Sequence, residues 1–319
     1  MTIYGALLAV ILITVLITPN ICKAKPTPSG ILSRATAQLN NLNSDLSQSV
    51  NLSGLRQYID NLTQCRDEIS KYCIFTDGVR KGELLPAARP IDDQLSSEIQ
   101  WMSWVVNQMT GVQSANIIHI GDTPLSDTKI YPAGGTMDHH TTVGWGGSAS
   151  YQYTFVTPNP SGTGTAGSLM DCFWNANGWA YSQLYNLFMW TGASHSKDVS
   201  FVGSYKGVLF ASGGTPGTMS ADIYGQYYII EINTAHVTRV TFYARTAPTG
   251  TIIVVPSTAF NQYVYNYYMT HGYIYNMGVK FQASSSAWIG NAFSNFAHDN
   301  YNQLPYPAKW YLQFINLHQ

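Results

Sequence analysis

Near residue 112 the apolar residues of this chain change their spacing, and that change restricts the fold more than any other feature. Before it they recur at steps of three and four: Leu32, Ala35, Leu39, Leu42, Leu46, then Leu55, Ile59, Leu62, Ile69, Cys73, then Leu95, Ile99, Met102, Val106, Met109. Such steps put side chains on one face of a helix. After it they alternate. In His236–Arg245, Thr238, Val240, Phe242 and Ala244 lie between Val237, Arg239, Thr241, Tyr243 and Arg245, the pattern of a strand with one apolar and one polar aromatic face. The expected fold is α+β: a helical N-terminal region, 25–111, then a mainly antiparallel β-sandwich or jelly-roll domain, 112–319.

The first two helical series are out of phase across Ser49–Gly54, so a break is expected there. Their seam suits either a coiled-coil stalk bearing the β-domain as a head or two amphipathic helices packed on a core. The Gly- and Pro-containing stretch Gly78–Pro90 reads as a loop. Asp92 or Asp93 is expected to cap the third helix, and Gly111 to end it. Tyr227–Ile232, Gly250–Val255, Tyr273–Phe281 and Trp310–Leu317 are further strand candidates. Ser257–His271 is expected as a helix, with Ser257 as cap and Gly272 as stop.

Charge divides at the same place. Only 10% of the 319 residues are charged, and more than half of those lie in the first 100. Of the 22 tyrosines, only Tyr4, Tyr58 and Tyr72 precede residue 101. The C-terminal part must stay soluble through Tyr, Asn, Ser, Thr and Gln. A net charge of -1 supplies no basic stripe to replace counterions on phosphates, which argues against a nucleic-acid partner.

Residues 1–24 have the pattern of a signal peptide. An apolar run from Ala6 to Ile17, broken only by Thr14, precedes Cys22 and Ala24 at the −3 and −1 positions of a cleavage site. No positive charge opens it, and a retained anchor is the alternative. Export to a secreted or cell-surface location would make Asn51-Leu52-Ser53 and Asn61-Leu62-Thr63 glycan acceptors, at Asn51 and Asn61. It would leave Cys65, Cys73 and Cys172, an odd number, so a free thiol or an intermolecular bridge is expected. On one continuous helix Cys65 and Cys73 would stand ~12 Å apart, too far to bond.

Chemistry-bearing residues collect in His119–His140: His119, Asp122, Asp127, Asp138, His139 and His140. Imidazoles and carboxylates on loops can bind a metal or activate water, so a metal-dependent hydrolase is one alternative. Asp138-His139-His140 resembles the short signature of the DHH phosphoesterases, whose other acidic motifs and α/β pattern are missing. Adjacent His139 and His140 on a strand would face opposite ways. No GxSxG motif or phosphate-binding loop occurs, and no cofactor is implied.

Two aromatic groups remain. Trp174, Trp179, Tyr181, Tyr185 and Trp190 form one; Tyr263, Tyr265, Tyr267, Tyr268, Tyr273 and Tyr275 form the other. Exposed Tyr and Trp give large amphipathic contact area at low entropic cost, although aromatics also fill β-sheet cores. Tyr181-Ser182, Tyr185-Asn186 and Gly192, with Tyr228–Ile232, resemble fragments of the actinoporin-type β-sandwich cytolysins over about 50 residues. The resemblance implies phosphocholine binding by the aromatic stretch and an N-terminal amphipathic helix that enters a membrane. Ala180 and Leu184 stand where that family has tryptophans, and residues 235–319 exceed its length.

The reading that leads is an exported, non-enzymatic recognition or structural protein, of the kind found in viral or surface fibres. It would bind a glycan, a protein receptor or neighbouring subunits of a homo-oligomer, with a membrane surface as a further partner. The expected binding residues are Trp174, Trp179, Tyr181, Tyr185, Tyr263, Tyr265 and Tyr267.

Overall fold

The computed structural model describes residues 26–111, 117–122, 126–144, 147–213, 219–297 and 308–318. The expected signal segment, with Cys22 and Ala24, lies outside them. No helix among the described residues is long and apolar enough to cross a membrane.

Helix α1 (Pro28–Leu46) starts where the Thr27 side chain accepts from Gly30 N at 3.3 Å, with Pro28 in the first turn. The expected break follows. Ser49 takes φ 89, and Val50–Asn51 forms a two-residue strand, β1. Asn51 then caps α2 (Leu52–Tyr72), its Oδ1 accepting from Gly54 N at 2.9 Å. Glycine is needed at 54, since a Cβ there would lie 2.8 Å from Val50 Cγ1. Two 3-10 turns, Gly78–Arg80 and Pro86–Ala88, lead into α3 (Arg89–Gly111). Asp92 and Asp93 are not its caps. The helix starts earlier, at Arg89-Pro90, and both carboxylates are buried within it.

Among the described residues the β-region is a mainly antiparallel sandwich of two seven-stranded sheets. In the first, β1 pairs β10 (His236–Pro248), followed by β9 (Ser220–Glu231), β12 (Ile274–Ala287) and β7 (Ala176–Trp190). The far edge of β7 is shared by β4 (Gly134–Val143) and the short parallel strand β2 (Ile118–Ile120). In the second sheet, β11 (Thr251–Met269) pairs β8 (His195–Ser212). Beyond β8, β13 (Asn291–Phe296) and β14 (Lys309–Leu317) lie end to end in one slot against β6 (Gly164–Phe173). β5 (Ala149–Thr157) covers the outer edge of β6, and β3 (Thr128–Ile130) pairs the end of β14. From β10 to β13 every connection changes sheet, the alternation of a jelly roll.

The helix expected over Ser257–His271 is absent; those residues belong to β11 and pair β8 as far as Met269. A strand rich in Tyr, Val and Asn gains a full ladder here, and tertiary pairing overrides the capping signals. Pro256, with no N–H to donate, sits in the register shift between Val255 and Thr258.

Two apolar cores result. Between the sheets, Phe281 meets the rings of Trp310 at 5.0 Å, Tyr205 at 5.3 Å and Phe242 at 5.7 Å. On the outer face of the first sheet, the seam residues Leu39, Leu42, Leu55 and Leu62 share a second core with Trp101, Tyr228, Ile230 and Val237. The helices form a third layer over that sheet. The seam that a stalk would present is occupied by the chain's own strands.

Candidate recognition site

The strand alternation separates the first aromatic group. Ala180 and Leu184 of β7 enter the inter-sheet core, so Trp179, Tyr181 and Tyr185 face the helices. Trp179 and Tyr181 stack on each other at 5.6 Å and are each only 2% exposed. Tyr185 packs against Trp104 of α3 at 5.6 Å, and burial pushes its phenol and that of Tyr181 up. Trp179 and Tyr181 therefore offer no face to a ligand, and Tyr185 is half-buried. Trp190 is buried, its Nε1 donating to Ala193 O. Trp174 alone is exposed, held at φ 55 in the β6–β7 turn with its edge against Phe173.

The segments that resemble the cytolysins lie in the same place. Tyr228 is fully buried, between Trp101 at 5.9 Å and Trp104 at 5.8 Å. The ring surface that would take a lipid headgroup is covered by α3.

The second group is sorted by a β-bulge. Strict alternation would put Tyr263, Tyr265 and Tyr267 on one face. The register slips between Val264 and Tyr267, where Asn266 takes φ 55 and its N–H donates to Asp198 Oδ1 at 2.9 Å. Tyr267 consequently turns inward, its hydroxyl donating to Glu231, and burial pushes its phenol up. Tyr275 is buried and Tyr273 packs against the same core. Tyr263, Tyr265 and Tyr268 stay exposed, Tyr265 most of all at 68%.

Tyr263 is the middle of a three-ring row. Tyr265 stacks on one side at 5.5 Å and 8°, and His318 on the other at 5.5 Å and 24°. Asn261 Nδ2 donates to the Tyr263 hydroxyl at 3.0 Å. His318 Nδ1 and Asn316 Nδ2 each stand 2.9 Å from Asp127 Oδ2, and His318 Nε2 lies 2.8 Å from Ser200 Oγ. A carboxylate only accepts, so Nδ1 carries the imidazole proton towards Asp127. The row thus combines an open ring face with amide, hydroxyl and carboxylate groups; Ser200, His318 and Asp127 are linked in the order of a serine–histidine–aspartate triad, but Ser200 is only 1% exposed. Sequence reading found Tyr263 and Tyr265 but missed Ser200, Asn316 and His318, which strand pairing brings from far along the chain.

The residues of His119–His140 are dispersed. Asp122 accepts from Lys197 Nζ at 2.8 Å and Ala193 N at 3.0 Å. Slight burial pushes its carboxyl up, but these bonds hold it below the usual range. Asp127 belongs to the His318 network, and Asp138 accepts from Gln100 Nε2 at 2.6 Å. His139 and His140 face opposite sides of β4, opposite Ala180 and Trp179 respectively, and burial pushes His140 down. His119 is exposed on β2. Among the described residues no three His, Cys, Asp or Glu side chains converge as metal ligands do.

Cys65, Cys73 and Cys172 are free thiols. Cys172 is buried with its Sγ donating to Ser285 O at 3.3 Å, and burial pushes its pKa well up. Asn51 and Asn61 both line a groove of about 450 Å³ between α1 and α2, with Gln38 and Tyr58.

No protein-family model matches the chain, and comparison with curated proteins finds no match. Among solved structures, the chain is similar to carbohydrate-binding modules of the β-sandwich superfamily, at 8% identity and TM-score 0.20. That match covers 59% of this chain and 58% of the other, a little over half of each. A family 11 carbohydrate-binding module from Clostridium thermocellum, in complex with a mixed-linked tetrasaccharide, matches at 11% identity and TM-score 0.16 (61% of this chain, 97% of the module). A protein of infectious bursal disease virus matches at 14% identity and TM-score 0.20, over 57% of this chain and 40% of its own. The sandwich is defined by its own strand pairing, and at these TM-scores the likeness goes no further than that architecture.

Proposed function

We propose that this chain is a non-catalytic recognition protein whose Tyr265–Tyr263–His318 row binds a neutral glycan. The observation that carries the reading is the exposed, stacked ring row flanked by Asn261 and the Asn316–Asp127–His318 network. A sugar ring has an apolar face that can stack on Tyr265 and hydroxyls that can exchange hydrogen bonds with amide and carboxylate groups. The site contains little free charge, so affinity depends weakly on salt. Recognition would take place outside the cell, after export on residues 1–24. The test is a glycan array followed by calorimetry on the best ligand. Tyr265→Ala is expected to weaken binding about fivefold or more, an aromatic contact being worth roughly 1 kcal/mol or above. An array without binders, or equal affinity in the variant, would overturn the reading.

One observation favours a second reading, assembly with neighbouring subunits. Strand β11 is the edge of its sheet, exposes Ile252 and Val254, and has no charged residue from Thr251 to Met269. Edge strands are ordinarily guarded by charge, proline or bulges, and in β11 the proline and bulges begin only at Pro256, past Ile252 and Val254. Light scattering tests this directly: a stable multimer that disappears on Val254→Lys supports it, and a monomer at every concentration sinks it.

A further inference from the structure

The helical layer does not seal against the first sheet. A cleft of about 360 Å³ opens between α1, α3 and the strands β9, β10 and β12, within the roughly 300–1,000 Å³ of small-molecule sites. Five of its eleven lining residues are amides: Asn40 and Asn43 from α1, Gln94 from α3, Gln226 and Gln282 from the sheet. Neighbours hold most of these in place. Gln94 Nε2 donates to the Tyr224 hydroxyl at 3.1 Å, Gln226 Nε2 to Thr241 Oγ1 at 3.0 Å, and the Ser97 hydroxyl to Gln282. Gln226 is 5% exposed, and its Oε1 has no hydrogen-bond partner among the described residues. A buried amide oxygen without a donor is costly, and such groups ordinarily meet water or a ligand.

The acid in the cleft lining is ion-paired. Glu98 is the one ionisable carboxylate in the lining, and Arg239 Nη1 donates to it at 2.6 Å while Nη2 donates to Asn43 Oδ1 at 2.8 Å. An anion would approach Glu98, and a cation would compete with Arg239. A neutral ligand meets neither cost, and hydroxyl groups match amides that can both donate and accept.

We propose that this cleft is a second binding site, separate from the Tyr263–Tyr265 row, for a small neutral polyhydroxylated ligand the size of one sugar ring. The ring would lie beside Tyr224, with a hydroxyl donating to Gln226.

Side-chain amide NMR signals of Gln94, Gln226 and Gln282 report on the cleft directly. Glucose, galactose, mannose, xylose and N-acetylglucosamine are each titrated into the full chain. At least one is expected to move these signals in a saturable way. Ala244→Trp, at the exposed mouth, is expected to abolish the shifts at unchanged melting temperature; Tyr265→Ala is expected to leave them intact. If Ala244→Trp fails to fold, Asn40→Trp on the exposed side of α1 plugs the same cleft. No shift with any of the five sugars overturns the proposal. So does a shift that survives the plug, and so does one lost in Tyr265→Ala, which would assign it to the ring row. The row is judged by its own array, so either site can fail alone.

Discussion

Strand β12 serves two buried interfaces with opposite chemistry. Its residues Met277, Val279, Phe281 and Ala283 enter the inter-sheet core. The residues between them, Asn276, Lys280 and Gln282, are buried against the helical layer. The inter-sheet side is held by non-directional apolar contact. The helix side needs partners: Arg239 bonds Glu98 at 2.6 Å and Asn177 bonds Asp93 at 2.7 Å. Lys280 is buried with no hydrogen-bond partner among the described residues, its Nζ 5.0 Å from the Tyr181 ring and 5.5 Å from the Trp101 ring. Apolar burial supplies stability at the first interface; at the second, buried ions fix how the helices sit, at some cost in desolvation.

Variants can break this contrast. The largest effect is expected from Phe281→Ala, which empties the ring cluster and costs roughly 3–5 kcal/mol. Guanidinium unfolding measures it, and a loss under about 1 kcal/mol would mean that the inter-sheet core is not the principal support. Arg239→Ala comes next. It leaves Glu98 without its bonded partner, which costs about 3 kcal/mol, the lower end for such pairs because Glu98 borders the cleft. Adding Glu98→Gln should recover part of that loss. If it recovers nothing, the pair is not what orders the seam.

Lys280→Met has the opposite sign and sharpens the contrast through pH. Burial pushes the Lys280 ammonium down to about 7, against the pull of Glu98. The unfolded chain keeps that proton up to about pH 10.5. Between those values the unfolded state binds more protons, so this group makes stability rise with pH. Lys280→Met is expected to be more stable by about 1–4 kcal/mol near pH 7, with the gain closing towards pH 10.5. Melting curves of the two proteins across pH check this; parallel curves would refute it. Above pH 10 both lose stability. Burial raises the Tyr205 phenol to about 12, so the unfolded chain ionises first. The smallest effect on folding is Tyr265→Ala. It should change stability by less than about 0.5 kcal/mol, and a larger loss would make the ring row a structural element.

The spacing of apolar residues revealed both layers because helix and strand periods are local properties. Leu42, Leu62 and Val240 report their faces without knowledge of their partners. What the seam of α1 and α2 packs against is not local, and a stalk and a layer look alike until Val237 and Tyr228 arrive from the sheet. The same limit explains Trp179 and Tyr181. Two apart on β7, they share a face, but the cover over that face comes from α3, some 80 residues earlier. Tyr263 and Tyr265 kept their exposure, whereas Tyr267 was turned inward by one extra residue at Asn266 that periodicity alone does not reveal.

The shared slot of β13 and β14 has a consequence for how the protein is made. β14 pairs β6 at Thr165 and Ala166 and β8 at Lys206, so the second sheet has a gap until residues near 310 arrive. At roughly 5–20 residues per second of synthesis, the interval from β6 to β14 lasts on the order of ten seconds. During that time both flanking strands present unpaired edges on the ribosome. A nascent chain paused before Lys309 should therefore recruit holding chaperones, and one extended past Leu317 should release them.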